Sequence, residues 1–277
     1  MEKMLSTYYP GTESGTYYGL YAPAIERFLS IDRHNLFCFF RTAQVLSSKI
    51  NTVVIILPGD KKVPNINNEN CLKNAVKTFG NSEFLIIADN VSDKTKEMIE
   101  EYVPTENINH VSVGHGAGTF NLALDLALKQ SDGDVIYFLE NDYLHTNNAE
   151  TIIMEGINLG ADYVSGYDHP DKYIPASRGG NPQIEDDGGE TTKVYLTKSS
   201  HWKITNSTTM TFAAKVGTLK RDEAILRKYT NMGHYPQDYK MFLELRENNA
   251  ILVTSIPGVS THGETMWLSP VIDWESV

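Results

Sequence analysis

The stretch Asp134-Val135-Ile136-Tyr137-Phe138-Leu139-Glu140-Asn141-Asp142-Tyr143-Leu144-His145 decides the reading of this chain, because an unbroken apolar run meets two carboxylates spaced one residue apart. A short continuous apolar run fits a central strand of a parallel sheet covered on both faces, and a buried helix segment shows the same pattern. The acidic end points to chemistry. In an extended segment side chains alternate, so Glu140 and Asp142 are expected on one side, within reach of one hard cation that also holds phosphate oxygens. Open parallel α/β sheets bind ligands just beyond the carboxyl ends of their strands, which is where this triplet falls. A solvated loop carrying two acids is the plainer alternative.

Composition narrows the partners. The 277 residues suffice for one substantial core, and hydrophobic and charged fractions of 41% and 21% are ordinary for a soluble globular enzyme. A formal net charge of -11 argues against a nucleic-acid backbone or an anionic membrane as the main partner, since both reward clustered Lys and Arg. Only Cys38 and Cys71 are present, and Cys38 lies in the apolar run 36–40, so no disulfide framework is expected. The opening residues lack a signal-peptide apolar region, and no later run approaches a membrane span. The expectation is a soluble, cytoplasmic protein.

Upstream of the acidic triplet, strand and helix signals alternate. Apolar runs at 36–40, 52–57, 84–88 and 110–113 read as strands, and helical spacing follows at 71–79, 94–102 and 120–128. Such alternation predicts a parallel, right-handed α/β sheet. Downstream, 150–159 reads as a helix and 163–166 as a short strand. Residues 168–190, rich in Gly, Pro and acids, read as a long loop, either a lid over a ligand or disordered surface. Residues 194–202 and 203–212 read as paired strands, 220–229 and 238–248 as helices, and 251–255 as the last strand, left by a Gly-containing loop at 257–263. Before residue 28 the Tyr-rich sequence shows no clean period.

The order of these motifs resembles the GT-A fold, and within it the inverting family 2 of nucleotide-sugar glycosyltransferases. In that family a strand ends in Asp-Asp-x-Ser-x-Asp, and Ala88-Asp89-Asn90-Val91-Ser92-Asp93 is similar. A Gly-rich turn into a helix with an internal Asn follows, matched by 114–128 with Asn121. The Asp-x-Asp strand end has its likeness in Glu140-Asn141-Asp142, with Glu for the first Asp, and a catalytic Asp before a helix has its likeness in Gln237-Asp238-Tyr239. The likeness runs in order from about residue 35 to 263. It departs where the family's first strand ends in Pro-Thr-Tyr-Asn and this one ends in Phe40-Arg41-Thr42-Ala43, and where Asn90 replaces the second Asp.

The resemblance implies a single GT-A-like (Rossmann-related) domain over 1–277, with a mostly parallel central sheet flanked by helices and an acceptor-side region of short strands and loops. About 35–145 would form the nucleotide-sugar half, and about 146–277 the half that holds the acceptor and catalytic base. Asp142, with His262 from the last strand's loop, would hold Mn²⁺ or Mg²⁺; His262 alternatively bonds backbone in its loop. Asp89 would meet the nucleobase or ribose, or else serve as a capping acid beside Ser92. Arg41 and Thr42 fall where phosphate or base is held, although Arg41 also fits a surface ion pair. Gly116 would allow close approach to the donor sugar, with Asn121, Glu140 and Asn141 in the same donor region. Asp238 would be the general base, or a helix cap. His201, Trp202 and Trp267 would form an acceptor platform, or core.

The expected activity is therefore metal-dependent, inverting transfer of a sugar from a nucleotide-diphosphate donor, UDP-linked, to a glycan, glycoconjugate or other hydroxyl acceptor. Two alternatives stand beside it. A sugar-1-phosphate nucleotidyltransferase would need a Gly-rich loop with Arg and Lys straight after the first strand, which 40–44 lacks. A catalytically silent carbohydrate-binding protein would need neither Asp142 nor Asp238.

Overall fold

Among the described residues of the first half of the chain, the periodic segments take up the strands and helices that their periods predict. The computed structural model describes residues 49–57, 66–185 and 188–277. The expected strand at 36–40, with Cys38, Arg41, Thr42 and the Tyr-rich start, lies outside the described residues. In order come β1 (Thr52–Leu57), α1 (Asn68–Phe79), β2 (Glu83–Asp89), α2 (Asp93–Glu100), β3 (Ile108–Val111), α3 (Gly116–Ala127), β4 (Val135–Glu140), β5 (Tyr143–His145), α4 (Ala149–Asn158) and β6 (Tyr163–Ser165). The rest are β7 (Val194–Leu196), β8 (His201–Ile204), β9 (Phe212–Lys215), α5 (Val216–Thr230), α6 (Asp238–Glu247), β10 (Leu252–Ile256) and β11 (Ser260–His262). Asn67 starts α1 by accepting from the Asn70 amide at 2.9 Å, and Ser92 starts α2 by accepting from that of Thr95 at 3.3 Å.

Among the described residues one nine-stranded sheet runs β3-β2-β1-β4-β9-β6-β10-β8-β7. The β3-β2-β1-β4 block is parallel throughout, as is the β6-β10 pair. The sheet is mostly parallel, as expected, and turns antiparallel beyond β4. Strand β9 inserts antiparallel between β4 and β6, and β8 and β7 extend the sheet antiparallel from β10. The strands expected over 194–202 and 203–212 are thus three short ones, and β9 pairs with β4 rather than with its chain neighbours.

Alternation along β4 explains the layers. Tyr137 and Leu139 face α1, α2 and α4 with Leu72, Phe79, Ile99 and Ile153. Ile136 and Phe138 face α3, α5 and α6 with Phe120, Leu124, Leu219, Met241 and Phe242. A central strand buried on both faces has no polar position to spare, which is why 135–139 is apolar without a break. Fully burying a side chain such as Phe138 contributes roughly 1.5–3 kcal/mol. The described residues fall in one compact unit, Ser47–Val277.

Within 168–185 and 188–190, read in the sequence as a lid or disordered surface, two 3₁₀ turns, Pro170–Tyr173 and Ala176–Arg178, are tied inward by buried charge. Lys203 on β8 lies 2.9 Å from Asp168 and 3.6 Å from Glu190, and all three are buried. Tyr173 donates to Asp168 at 2.6 Å, and the Lys203 ammonium sits 4.2 Å above its ring. Nearby, Lys172 donates to Ser207 at 2.8 Å, and Asn206 donates to Asn181 at 2.8 Å. Paired and hydrogen-bonded in this way, the described residues of 168–210 form a wall of buried polar groups.

Candidate active site

The parallel block turns at the end of β4, and the geometry there differs from simple alternation. Glu140 ends the strand, the chain turns through Asn141 and Asp142, and β5 leaves in a new direction. Asp142 therefore owes its position to the turn. Strand β11 pairs antiparallel with β5, His262 opposite Tyr143, and this ribbon returns the imidazole to the acid. His262 Nε2 lies 3.1 Å from Asp142 Oδ2. The close approach depends on Gly263, where an added Cβ would sit 3.0 Å from the Asp142 carbonyl oxygen and 2.8 Å from Ile66.

Burial and the Asp142 carboxylate push the half-buried Glu140 carboxyl up to about 7, with His262 opposing and Asp238 adding to the rise. Burial alone would lower the His262 pKa, but the hydrogen bond and charge of Asp142, with Glu140, raise it. Asp238, the first residue of α6, is raised by burial; its Oδ1 accepts the Tyr239 amide at 2.7 Å, and Lys172 and His169 partly counter the rise. Gln237, which precedes α6, makes no side-chain capping bond, and the Asp238 carboxylate is half-buried at the helix start. Glu140, Asp142, His262 and Asp238 thus form one electrostatic neighbourhood, reached by the charges of His169 and Lys172 in the wall.

The remaining expected residues take supporting positions. Both oxygens of the buried Asp89 accept backbone amides, Val113 at 2.7 Å and Gly114 at 2.8 Å, so its charge braces the turn between β3 and α3, where Gly114 takes a φ of 79°. Asn121 donates to the Thr230 carbonyl at 3.3 Å and accepts from the Thr230 hydroxyl at 3.0 Å, which pins α3 to the end of α5. Gly116 lies against Pro236, whose Cδ would be 3.7 Å from an added Cβ, and the Ala117 amide donates to the His234 carbonyl at 3.1 Å. Asn141 is buried and donates to Asn68 at 2.6 Å.

The aromatic expectation divides. Trp202 is 0% exposed, with its indole N–H on Thr197 at 3.0 Å and its ring packed over Gly156, so its acceptor reading is corrected to core. His201 is exposed on β8 opposite Ile256. Trp267 is half-buried beside His169, ring centres 5.2 Å apart. His169 and its partner Asp171, 2.9 Å away, were not singled out in the sequence; a His just past a strand end of the sheet was the available signal.

Among the described residues, no group of three or more His, Cys, Asp and Glu is gathered as a metal cage. The pair Asp142 and His262 nevertheless fits a divalent ion. Neighbouring ligands of an octahedral cation, at bonds of about 2.1 Å, lie about 3 Å apart. The observed 3.1 Å matches, and a carboxylate with an imidazole is a donor set that Mn²⁺ accepts. A nucleotide's phosphate oxygens and water would complete such a shell.

Known proteins bear on this geometry. A search of curated sequences returns no significant match. Among solved structures, that of GalNAc-T7 with UDP, GalNAc and Mn²⁺ superposes with a TM-score of 0.52 at 12% identity, covering 78% of this chain and 44% of that one. The chain thus spans less than half of that relative's length. S. aureus TarS 1-349 in complex with UDP-GlcNAc gives a TM-score of 0.43 at 18% identity, over 74% of this chain and 55% of that one. No helix among the described residues is long and apolar enough to cross a membrane. The family described as glycosyl transferase family 2 matches residues 63–210, from before α1 through the acidic turn and the charged wall, and the chain belongs to that family, with its GT-A fold.

Proposed function

We propose that this chain transfers a sugar from a nucleotide-diphosphate donor, UDP-linked, to a hydroxyl acceptor with inversion at the anomeric carbon. The observation that carries the reading is the Asp142–His262 pair, 3.1 Å apart at the carboxyl edge of the sheet, with the Asp238 carboxylate in the same electrostatic neighbourhood. The likeness in fold to GalNAc-T7, whose structure holds UDP, GalNAc and Mn²⁺, supports the donor class.

The chemistry follows from the residues. Asp238 accepts the proton of the acceptor hydroxyl as that oxygen bonds to the anomeric carbon. The bond from that carbon to the diphosphate oxygen breaks, and its electron pair leaves with the diphosphate. One carboxylate on the acceptor side suits a single displacement, hence inversion. Asp142 and His262 would hold Mn²⁺ or Mg²⁺, which when bound supplies positive charge at the leaving diphosphate. Burial raises the Asp238 pKa, which strengthens it as a base. Asp89 holds the turn that receives the nucleotide, while Glu140 and Asn141 border the donor sugar. Arg41 and Thr42 are assigned to the phosphates or base on sequence grounds alone. The cytoplasmic setting is assigned from the sequence, which has only two cysteines, Cys38 and Cys71.

Calorimetry with UDP, with and without Mn²⁺, tests the reading. Asp142→Ala should abolish the metal-dependent part of the affinity with little loss of fold, and His262→Ala should weaken the Mn²⁺ response more than the Mg²⁺ response. Unchanged metal-dependent affinity in Asp142→Ala would remove the donor assignment.

A further inference from the structure

An aromatic path leads away from the Asp142–His262 pair. The Tyr167 ring lies 6.4 Å from that of His262, 5.6 Å from that of Tyr143 and 4.9 Å from that of His169, which in turn lies 5.2 Å from Trp267. Its members are fixed from behind. The Tyr167 hydroxyl donates to the Trp267 carbonyl at 2.5 Å, and the Trp267 amide donates to that of Glu264 at 2.8 Å. His169 Nδ1 accepts the Asp171 amide at 3.0 Å and lies 2.9 Å from the Asp171 carboxylate, so the imidazole keeps one orientation. Both Trp267 and His169 are half-buried, so neither residue is closed off from solvent.

The shelf borders the proposed base. The charges of His169 and Lys172 reach Asp238, and that of Asp171 reaches Tyr239, so the Pro170–Tyr173 turn and the start of α6 share one electrostatic neighbourhood. Exposed apolar side chains lie nearby in sequence, Met266 at 82% accessibility next to Trp267 and Tyr235 at 80% ahead of Asp238. A rigid indole offers a flat apolar surface, and the adjacent imidazole offers a hydrogen bond at its edge. A pyranose needs both, because its axial C–H groups form an apolar face while its hydroxyls lie around the rim.

We propose that Trp267 and His169 form the acceptor subsite and that the acceptor is a pyranoside, its ring on Trp267, one hydroxyl bonded to His169 and another directed to Asp238. This assignment rests on the glycosyl-transfer reading and adds the acceptor class. Asp171 is a positioning residue, acting through the imidazole.

Titration of the protein, in the presence of UDP and Mn²⁺, with methyl glycosides of glucose, galactose, N-acetylglucosamine and N-acetylgalactosamine, followed by NMR, tests it. At least one glycoside should bind saturably. Trp267→Ala and His169→Ala should each weaken that glycoside at least about tenfold, while Trp267→Phe, which keeps a flat ring, stays within about threefold. Affinity for UDP with Mn²⁺ should stay within about twofold in all three, so a lost subsite is distinguishable from a lost donor site. The subsite is overturned if no glycoside binds while UDP does, if Trp267→Ala binds as the wild type does, or if a serine peptide binds in the glycosides' place. Failure of UDP itself to bind would overturn the donor reading and the subsite with it.

Discussion

The parallel block at 52–57 and 66–145 and the wall at 168–210 border the same carboxylates, yet opposite physics holds them. Every interior side chain of β4 from Val135 to Leu139 is apolar and packed on both faces. The wall buries Asp168, Lys172, Asn181, Lys203 and Asn206 instead, and closes on itself through ion pairs and hydrogen bonds. Apolar burial tolerates small errors of shape, whereas a buried charge that loses its partner is left in a medium that cannot solvate it. A site bounded by both has one forgiving side and one brittle side.

The largest effect expected from this contrast is at Lys203. Lys203→Met keeps the stem but strands Asp168 and Glu190, at a cost of about 3–5 kcal/mol. Ile136→Val, in the apolar block, should cost only about 1 kcal/mol. Urea denaturation of the two variants checks the difference, and equal midpoint shifts would dissolve the contrast.

The same contrast explains what was legible in the sequence. Strands β1, β2 and β4 announce themselves because burial on both faces leaves an unbroken apolar run, and helix α2 because Ser92 marks its start. The wall could not be read, since its partners lie far apart in sequence: Asp168 meets Lys203, and Thr205 donates to Glu190 at 3.0 Å. Composition registers such residues only as polar, and so as loop. Position of β9 between β4 and β6 was hidden for a related reason, because Phe212 to Lys215 pairs with strands that its own neighbours do not touch. In the site, the motif order brought Asp142, His262 and Asp238 to notice, but not that Asp89 would spend both oxygens on backbone amides, nor that His169 would join Trp267.

Acid should loosen the two regions in different windows. His145, fully buried beside Tyr137 with Nε2 2.9 Å from the phenol oxygen, has its pKa pulled down to about 3 by burial, from 6.5. Below about pH 6.5 the unfolded chain takes this proton first, so stability falls by about 1.4 kcal/mol per pH unit down to the folded pKa. In the wall, burial pushes the Asp171 carboxyl up, but His169, Lys172 and Asn181 more than offset this and hold it down at about 2, against 3.8. Its contribution of about 2 kcal/mol is complete above pH 3.8 and is lost only as pH falls toward 2. Between pH 7 and pH 4.5 the Glu140 carboxyl, raised to about 7, gives a slope of opposite sign, so the His145 contribution is read as the stability difference between the wild type and His145→Phe. That difference should change by about 1.4 kcal/mol per pH unit below pH 6.5, with Asp171→Asn following the wild type over this range. A difference that does not change with pH would remove His145 as a source of acid sensitivity.

The smallest effect is expected at the surface. Lys73 and Glu69 lie 2.6 Å apart on α1 with both side chains largely exposed, so Lys73→Ala should leave the denaturation midpoint unchanged within error. A clear shift there would mean that exposed pairs also matter, and the brittleness of the wall would no longer be special to buried charge.

The role of Asp238 is the central claim, and Asp238→Asn tests it most directly, because the amide keeps the shape of the carboxylate but cannot take the proton. Turnover of UDP-sugars in the presence of methyl glycosides, followed by NMR that resolves the anomeric configuration of the product, is the measurement. The expected result is near-normal melting and UDP affinity with Mn²⁺, transfer reduced at least roughly a hundredfold, and a wild-type product of inverted configuration. Transfer by Asp238→Asn at close to the wild-type rate, or a product that retains the donor's configuration, would contradict it.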